Sequence, residues 1–126
     1  MVNGAGLAMA AMDVIELHGG SPANFLDIGG SSNPQKVVEA MKILLGDSNV
    51  KVVMINIFGG ITRCDDVARG LTTALEQIDV TLPVVVRLSG TNAKEGLELL
   101  EGKQLHVVTS MRAAAQKAIA LAQEEV

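Results

Sequence analysis

The stretch INIFGGITRCDDVARG, residues 55–70, passes from an apolar run to a helical pattern through two adjacent glycines. The apolar run predicts a strand that is buried on both faces. Thr62 and Asp65 have the spacing of a helix N-terminal capping box, with Asp in place of the usual Glu or Gln. A strand followed at once by a helix is the repeating unit of α/β proteins, so this stretch indicates the fold class.

The same alternation continues in both directions along the chain. Strands are predicted at residues 24–28, 51–57, 83–88 and 106–108. Helices are predicted at residues 8–18, at 111–123, and from near Asn33-Pro34, Thr62 and Asn92, where Asn92 and Glu95 repeat the capping-box spacing. Gly19-Gly20 provides a C-terminal stop, and Asn33 with Pro34 provides an N-cap and first position. This order predicts an α/β fold in which a doubly wound parallel sheet carries helices on both faces.

The chain begins almost directly with a helix. Only Met1, Val2 and Asn3 remain of the strand that should feed it, and doubly wound folds place that strand inside the sheet. We therefore expect residues 1–126 to form one domain with a truncated first strand, a C-terminal fragment of a longer subunit. If neighbouring molecules supply the missing strand edge, the isolated fragment should self-associate.

Composition excludes several classes of function. A net charge of −4, a pI near 5.0 and an aromatic content of 2% argue against a nucleic-acid partner, which needs clustered cations and stacking surfaces. No apolar run approaches ~18 residues, so no membrane partner is expected. The lone Cys64 fits a reducing compartment, and we expect a cytoplasmic location, or the mitochondrial matrix in a eukaryote. No cluster has metal-ligand spacing, so no metal site is expected in this chain.

Three glycine-bearing turns follow strand-like segments, at residues 3–6, 29–32 and 58–62. The carboxyl ends of parallel strands meet at one edge of a sheet, where ligands bind at the switch point. Glycine lets backbone N–H groups approach a ligand, and the helix N-terminus behind each turn favours negative charge. Any one such turn could equally well serve only to end a strand. Three on one edge favour an anion site.

Four segments, MVNGAGLAMA, HGGSPANFLDIGG, INIFGGITRCD and PVVVRLSGTNA, resemble the C-terminal ligase domain of the succinyl-CoA synthetase (succinate–CoA ligase) β subunit. The resemblance covers essentially the whole chain and implies a flavodoxin-like fold. It implies a part in an α/β enzyme that converts succinate, CoA and a nucleoside triphosphate into succinyl-CoA, the diphosphate and phosphate.

The resemblance also implies which region or subunit binds each substrate and cofactor. Mg²⁺ and ATP or GTP would bind an ATP-grasp region outside this chain. CoA and a phosphohistidine intermediate would belong to the α subunit, which is the expected partner. The isolated chain is accordingly expected to be inactive, and no catalytic residue is assigned within it.

The resemblance assigns substrate binding to Asn3 and to the turn residues Gly60, Ile61 and Thr62. Gly59 and Arg63 are further candidates for contact with succinate or phosphate at this anion-binding turn. The helix from about Arg63 resembles the β-subunit helix whose N-terminus points at the phosphohistidine. For Thr62, helix capping alone is an equally weighted interpretation.

Two alternatives stay open at this point. The first is a malate–CoA ligase domain, because Ser31 and Ser32 stand where many relatives carry a glycine and a small residue. The second is a Rossmann-like dinucleotide-binding module, with Gly4 and Gly6 opening a helix and Asp27 at the place of the ribose-binding acid. Against the second, Met9 occupies the third glycine position of the fingerprint, where helix and strand must pack closely.

Two side chains near the glycine turns have open roles. Cys64 lies in a predicted first helical turn, where the helix dipole lowers a thiol pKa, but neither a second cysteine nor an adjacent histidine supports a redox role. Arg87 and the turn at residues 89–92 should lie on the ligand-bearing edge, where either an anion contact or a contact with the α subunit would suit them.

Overall fold

The computed structural model describes residues 1–30 and 33–124 and confirms an α/β fold. The elements in chain order are α1 (Ala5–Leu17), α2 (Pro34–Leu45), β1 (Val53–Gly59), α3 (Cys64–Gln77), β2 (Val84–Gly90), α4 (Ala93–Leu100), β3 (His106–Val107) and α5 (Met111–Glu124). The strands form a parallel sheet in the order β1-β2-β3. Among the described residues, no helix is both long and apolar enough to cross a bilayer.

The first two residues fill the interior position next to β1. Val2 makes parallel bridges to Asp27 on one side and to Asn56 on the other. Its N–H donates to the Leu26 carbonyl at 2.9 Å, and the Met1 carbonyl accepts from the Asn56 N–H at 2.9 Å. Val2 therefore lies between β1 and residues 26–28, and all three segments run parallel. The strand predicted at 24–28 is reduced to this single bridge, because Val2 and its two neighbours offer it only a short partner.

Helices cover both faces of the sheet and bury an aliphatic core. On one face α2, α3 and α4 pack on Val53, Ile55 and Ile57 of β1 and on their β2 neighbours. On the other face α1 and α5 pack on Val2, Met54 and Val85. Alternate residues of β1 and β2 thus point into two different layers, as the near-continuous apolar runs predict.

Two predicted helix boundaries, the start of α2 and the end of α1, are confirmed. The Asn33 side chain accepts the Gln35 N–H at 2.9 Å, with Pro34 at the first position of α2. At the end of α1, the Gly19 N–H bonds the Glu16 carbonyl and the Gly20 N–H bonds the Ile15 carbonyl. That pair of bonds is a Schellman motif, so the glycine stop is confirmed.

The two predicted capping boxes are wrong. Helix α3 has Arg63 at its N-cap, with no capping bond from a side chain, and the Thr62 side chain is buried instead. Asn92 does occupy the N-cap of α4, but in a left-handed conformation (φ 57°) and without a side-chain cap. Its amide donates to Asp65 of α3, because a buried carboxylate needs that donor more than an exposed helix end does.

Candidate functional site

The first two glycine turns meet at the Asp27 carboxylate. Its Oδ1 accepts the N–H of Gly4, at the start of α1, and the N–H of Gly29, each at 2.7 Å. The carboxylate therefore links the loop that follows Val2 to the loop that follows residues 26–28. This use of Asp27 differs from the ribose contact of a dinucleotide-binding module, and the structure offers that alternative no support.

Asn3 is bonded to the backbone of the third turn. Its Nδ2 donates to the Phe58 carbonyl at 2.8 Å, and its Oδ1 accepts the Phe58 N–H at 2.9 Å. The side chain thereby extends the pairing that Val2 makes with β1 by one further step. Asn3 thus lies beside the FGGI turn, as its predicted role requires, while each of its polar atoms makes one bond within the chain.

The two glycines of that turn have opposite surroundings. A Cβ on Gly59 would come within 2.5 Å of the Thr62 carbonyl oxygen, and Gly90 (φ +100°), its partner on β2, would carry a Cβ into the Gly59 backbone. A Cβ on Gly60 would meet nothing within 4 Å. Gly59 is therefore required by packing, whereas Gly60 leaves open space in front of the turn.

Three successive backbone N–H groups follow Gly59 in this turn. Within the part of the chain that the structure describes, the N–H groups of Gly60, Ile61 and Thr62 have no acceptor. Thr91 holds the turn from behind, because its Oγ1 donates to the Gly60 carbonyl at 2.8 Å and its carbonyl accepts the Cys64 N–H at 2.9 Å. Unpaired N–H groups at the start of a 14-residue helix are suited to binding an anion.

The hydroxyl of Thr62 is also without a partner. The residue is 1% exposed, and its Oγ1 has no hydrogen-bond partner among the described residues. A buried hydroxyl that makes no bond costs free energy, roughly 1–3 kcal/mol on mutational scales. The capping interpretation of Thr62 is therefore wrong.

A charged network fixes the first turn of α3. The buried Asp65 carboxylate accepts bonds from Arg63 (3.1 Å), Arg69 (3.0 Å) and Asn92 (3.2 Å). Burial alone would raise the pKa of Asp65, but these hydrogen bonds together lower it to about 2. Arg63, half-exposed, is thereby held at the helix N-terminus. Sequence reasoning missed this role, for which the only signal was two aspartates in one first turn.

Burial makes Cys64 unsuited to nucleophilic chemistry. The residue is fully buried, and burial raises the pKa of its thiol above the ordinary value. The helix-dipole effect considered from sequence is thus outweighed, and the Sγ is 3.5 Å from the Ser89 carbonyl oxygen. A neutral packed thiol has a structural role.

A second polar pair lies on the α1/α5 face, beneath the turn. Asn56, fully buried in β1, accepts a bond from Arg87 of β2 at 3.2 Å through its Oδ1. The Asn56 Nδ2 and the Arg87 Nε are buried without partners among the described residues. Asn56 was missed from sequence, because an asparagine inside an apolar strand run was read only as part of the strand.

Most of the predicted residues gather at one edge. Asn3, Gly59, Gly60, Ile61, Thr62 and Arg63 lie on the loop after β1 or directly beside it. Ser31 and Ser32, the basis of the malate alternative, lie outside the described residues. Over residues 1–30 and 33–124, no three His, Cys, Asp or Glu side chains are close enough to hold a metal ion.

Comparison with known proteins gives consistent matches. Residues 1–121 match the CoA-ligase family. The chain is 67% identical over 120 residues to the succinate–CoA ligase (ADP-forming) subunit beta of Bacteroides thetaiotaomicron, and 55% identical over 125 residues to the same-named protein of a Marinomonas species. These alignments cover 94% and 98% of the chain. In each case the chain spans only 32% of the relative, about a third of its length.

Solved structures support the fold. The protein PH0766 of Pyrococcus horikoshii superposes with a TM-score of 0.80 at 20% identity, over 98% of this chain and 34% of that one. An acetyl-coenzyme A synthetase of Candidatus Korarchaeum cryptofilum, described as dinucleotide forming, superposes with a TM-score of 0.74 at 18% identity, over 98% and 33%. At these identities the likeness concerns the fold alone.

Proposed function

The chain belongs to the CoA-ligase family, and from this premise we propose that it is the C-terminal ligase domain of a succinate–CoA ligase β subunit. In the complete enzyme the reaction would be succinate + CoA + NTP = succinyl-CoA + NDP + phosphate. The observation that carries the proposal is the 67% identity to a protein of that name. The name of that relative favours ATP over GTP as the nucleotide.

The FGGIT turn is the proposed binding site for the acid and for phosphate. It offers three unpaired N–H groups, the unpartnered Thr62 hydroxyl and a helix N-terminus, with open space at Gly60. Donors that are fixed in place before the reaction stabilise developing negative charge with little reorganisation. Thr91 holds the Gly60 carbonyl, and Asp65 holds Arg63. Both contacts support a cradle that does not need to rearrange.

The proposed partner is the α subunit, which would bring CoA and the phosphohistidine to this turn. Phe58 and Ile61, on either side of the glycine pair, are 58% and 87% exposed. Large apolar side chains so exposed beside polar groups are typical of protein contacts. A docked subunit would cover them and exclude water from the anion site.

Nucleotide and Mg²⁺ are assigned to regions of the enzyme outside this chain. The remaining proposals are an ATP-grasp region preceding this domain and a cytoplasmic location, or the mitochondrial matrix in a eukaryote. The isolated domain should not catalyse the overall reaction.

The test is Gly60→Val in a complete β subunit assembled with its α subunit. Because the position is open, the side chain should fit without unfolding the domain and should block access to the N–H groups. We expect the KM for succinate to rise at least tenfold while nucleotide binding stays unchanged. Thermal unfolding of the variant serves as the folding control. Unchanged succinate kinetics in a folded variant would contradict the assignment.

Titration of the chain with NAD separates this proposal from the dinucleotide-binding alternative. Asp27 already accepts two backbone bonds, and Met9 stands at the third position of the glycine fingerprint. We expect no binding. Stoichiometric binding of NAD would favour the alternative.

A further inference from the structure

Thr91, in the loop after β2, bonds the neighbouring loop at two points. Its Oγ1 donates to the Gly60 carbonyl at 2.8 Å, in the middle of the FGGIT turn at residues 58–62. Its own carbonyl accepts the N–H of Cys64, the first residue of α3, at 2.9 Å. One residue of the β2 loop therefore contacts both the turn and the start of the helix that follows it.

The backbone of Thr91 has a fixed position relative to the turn. Thr91 directly follows Gly90, which is paired with Gly59 and would carry a Cβ into the Gly59 backbone. A Cβ on Gly59 would in turn lie 3.3 Å from the Thr91 nitrogen. Because the two loops are packed this closely, the Thr91 hydroxyl is held at a constant distance from the Gly60 carbonyl.

The bond to the Gly60 carbonyl sets the direction of the Ile61 N–H. These two groups belong to one planar trans peptide unit, so they point in opposite directions. Since the carbonyl is directed at Thr91, the Ile61 N–H is directed away from Thr91. This N–H has no acceptor among residues 1–30 and 33–124. It lies in an open part of the turn, because Ile61 is 87% exposed and a Cβ on Gly60 would meet nothing within 4 Å.

The orientation of this peptide unit needs a restraint because one of its two residues is a glycine. Gly60 has no Cβ to limit rotation about its backbone bonds. A rotation that moved the Ile61 N–H away from a bound anion would bring the Gly60 carbonyl oxygen towards it. The carbonyl carries a partial negative charge and would repel the anion, so the direction of this one unit decides whether the turn attracts or repels.

We propose that Thr91 is a positioning residue for the acid substrate and acts through the Gly60–Ile61 peptide unit. Its hydroxyl holds the Gly60 carbonyl back, so that the Ile61 N–H donates to an anionic oxygen of the substrate. Thr91 itself does not contact the substrate. The role rests on the proposed function of the FGGIT turn, but the orientation of the peptide unit can be measured without it.

The first experiment measures N–H directions in the 126-residue chain by residual dipolar couplings. We expect the wild-type Ile61 coupling to fit the orientation described above, Thr91→Val to change it, and Thr91→Ser to retain it. Thr72→Val is the matched control, because Thr72 Oγ1 also donates to a backbone carbonyl, that of Arg69 at 2.9 Å, but within α3. An Ile61 coupling that is the same in Thr91→Val and wild type would overturn the proposal. If Thr91→Val does not fold, a wild-type coupling that does not fit the orientation would do so.

The second experiment measures succinate kinetics in a complete β subunit assembled with its α subunit. Thr91→Val should raise the KM for succinate about three- to tenfold, the factor that one hydrogen bond between uncharged groups supplies. Thr91→Ser and Thr72→Val should keep the wild-type KM, and the KM for nucleotide should not change in any variant. If Gly60→Val raises the KM for succinate and Thr91→Val does not, the role of Thr91 is refuted and the proposed function stands. If neither variant changes it, the proposed function fails and the role of Thr91 fails with it.

Discussion

Gly59 and Gly90 are paired at the last register position of β1 and β2, where a Cβ on Gly90 would overlap the Gly59 backbone and a Cβ on Gly59 would come within 2.5 Å of the Thr62 carbonyl oxygen. Gly90 also has a φ of +100°, which side chains with an L configuration rarely adopt. This contact sets the separation of the two loops that carry Gly60 and Thr91. The geometry of the FGGIT turn therefore depends on the absence of side chains at Gly59 and Gly90.

Gly90→Ala should destabilise the domain by about 2–5 kcal/mol, since backbone strain adds to a clash with the Gly59 backbone. Urea unfolding measures the change. Gly102→Ala is the matched control, because Gly102 has a φ of +75° but open space around its Cβ position. The control should lose only about 1 kcal/mol, the cost of the conformation alone. Equal losses in both variants would show that the close approach is unimportant.

Asn3→Ala should cost about 1–2 kcal/mol, because it removes both bonds between the side chain and the Phe58 backbone. The specific readout is hydrogen exchange of the Phe58 amide, which should accelerate more than its neighbours in β1. Asn24→Ala, which removes one exposed bond to Asp47, should change stability by less than about 0.5 kcal/mol. An unchanged Phe58 exchange rate would mean that Asn3 does not hold the turn.

The sheet and one helix start could be predicted because their signals are local. The apolar runs of β1 and β2 need burial on both faces, whatever the rest of the chain does. Asn33-Pro34 caps α2 with atoms two residues away. The strand at 24–28 was overpredicted because strand length depends on its partner, and that partner is Val2 with its immediate neighbours.

The details of the site depend on contacts between residues that are distant in sequence. Asp65 is bonded to Asn92, 27 positions away, and this contact takes the Asn92 side chain away from capping α4. Gly59 and Gly60 are the same residue type, but a Cβ on Gly59 would meet backbone atoms of Thr62 and Thr91, whereas a Cβ on Gly60 would meet nothing within 4 Å. The sequence places both at the turn and cannot tell which one a ligand approaches.

The Asp65 network should make stability fall in acid between about pH 4 and pH 2. The folded-state pKa of Asp65, about 2, lies below the ordinary value of 3.8, so the unfolded chain takes up the proton first as the pH falls. The contribution is complete above pH 4 and is lost as the pH falls through 2. In Asp65→Asn, unfolding measured across this interval should show a shallower pH dependence. Asp13→Asn, a change on exposed α1, should keep the wild-type dependence.

The α-amino group of Met1 should add a pH dependence of the same sign, but in a higher pH range, to a polypeptide that starts at this residue. The group donates to the Met54 carbonyl at 2.8 Å, and burial lowers its pKa from 8.0 to about 5. Between pH 5 and pH 8 the unfolded chain binds the proton and the folded chain does not, so stability rises with pH. The difference between the two pKa values corresponds to about 4 kcal/mol over that range.

Acetylation of the Met1 amine should flatten this rise and stabilise the chain at pH 6. An amide N–H can still donate to Met54, but it carries no charge to bury. Met1 borders a cavity of about 510 Å³ between the end of α1, the start of β1 and the end of α5, and we expect the acetyl group to occupy part of it. Chemical unfolding of acetylated and free chains at pH 6 and pH 8 gives the comparison. The two should differ at pH 6 and converge by pH 8, and equal stabilities at pH 6 would show that the amine is solvated in the folded chain.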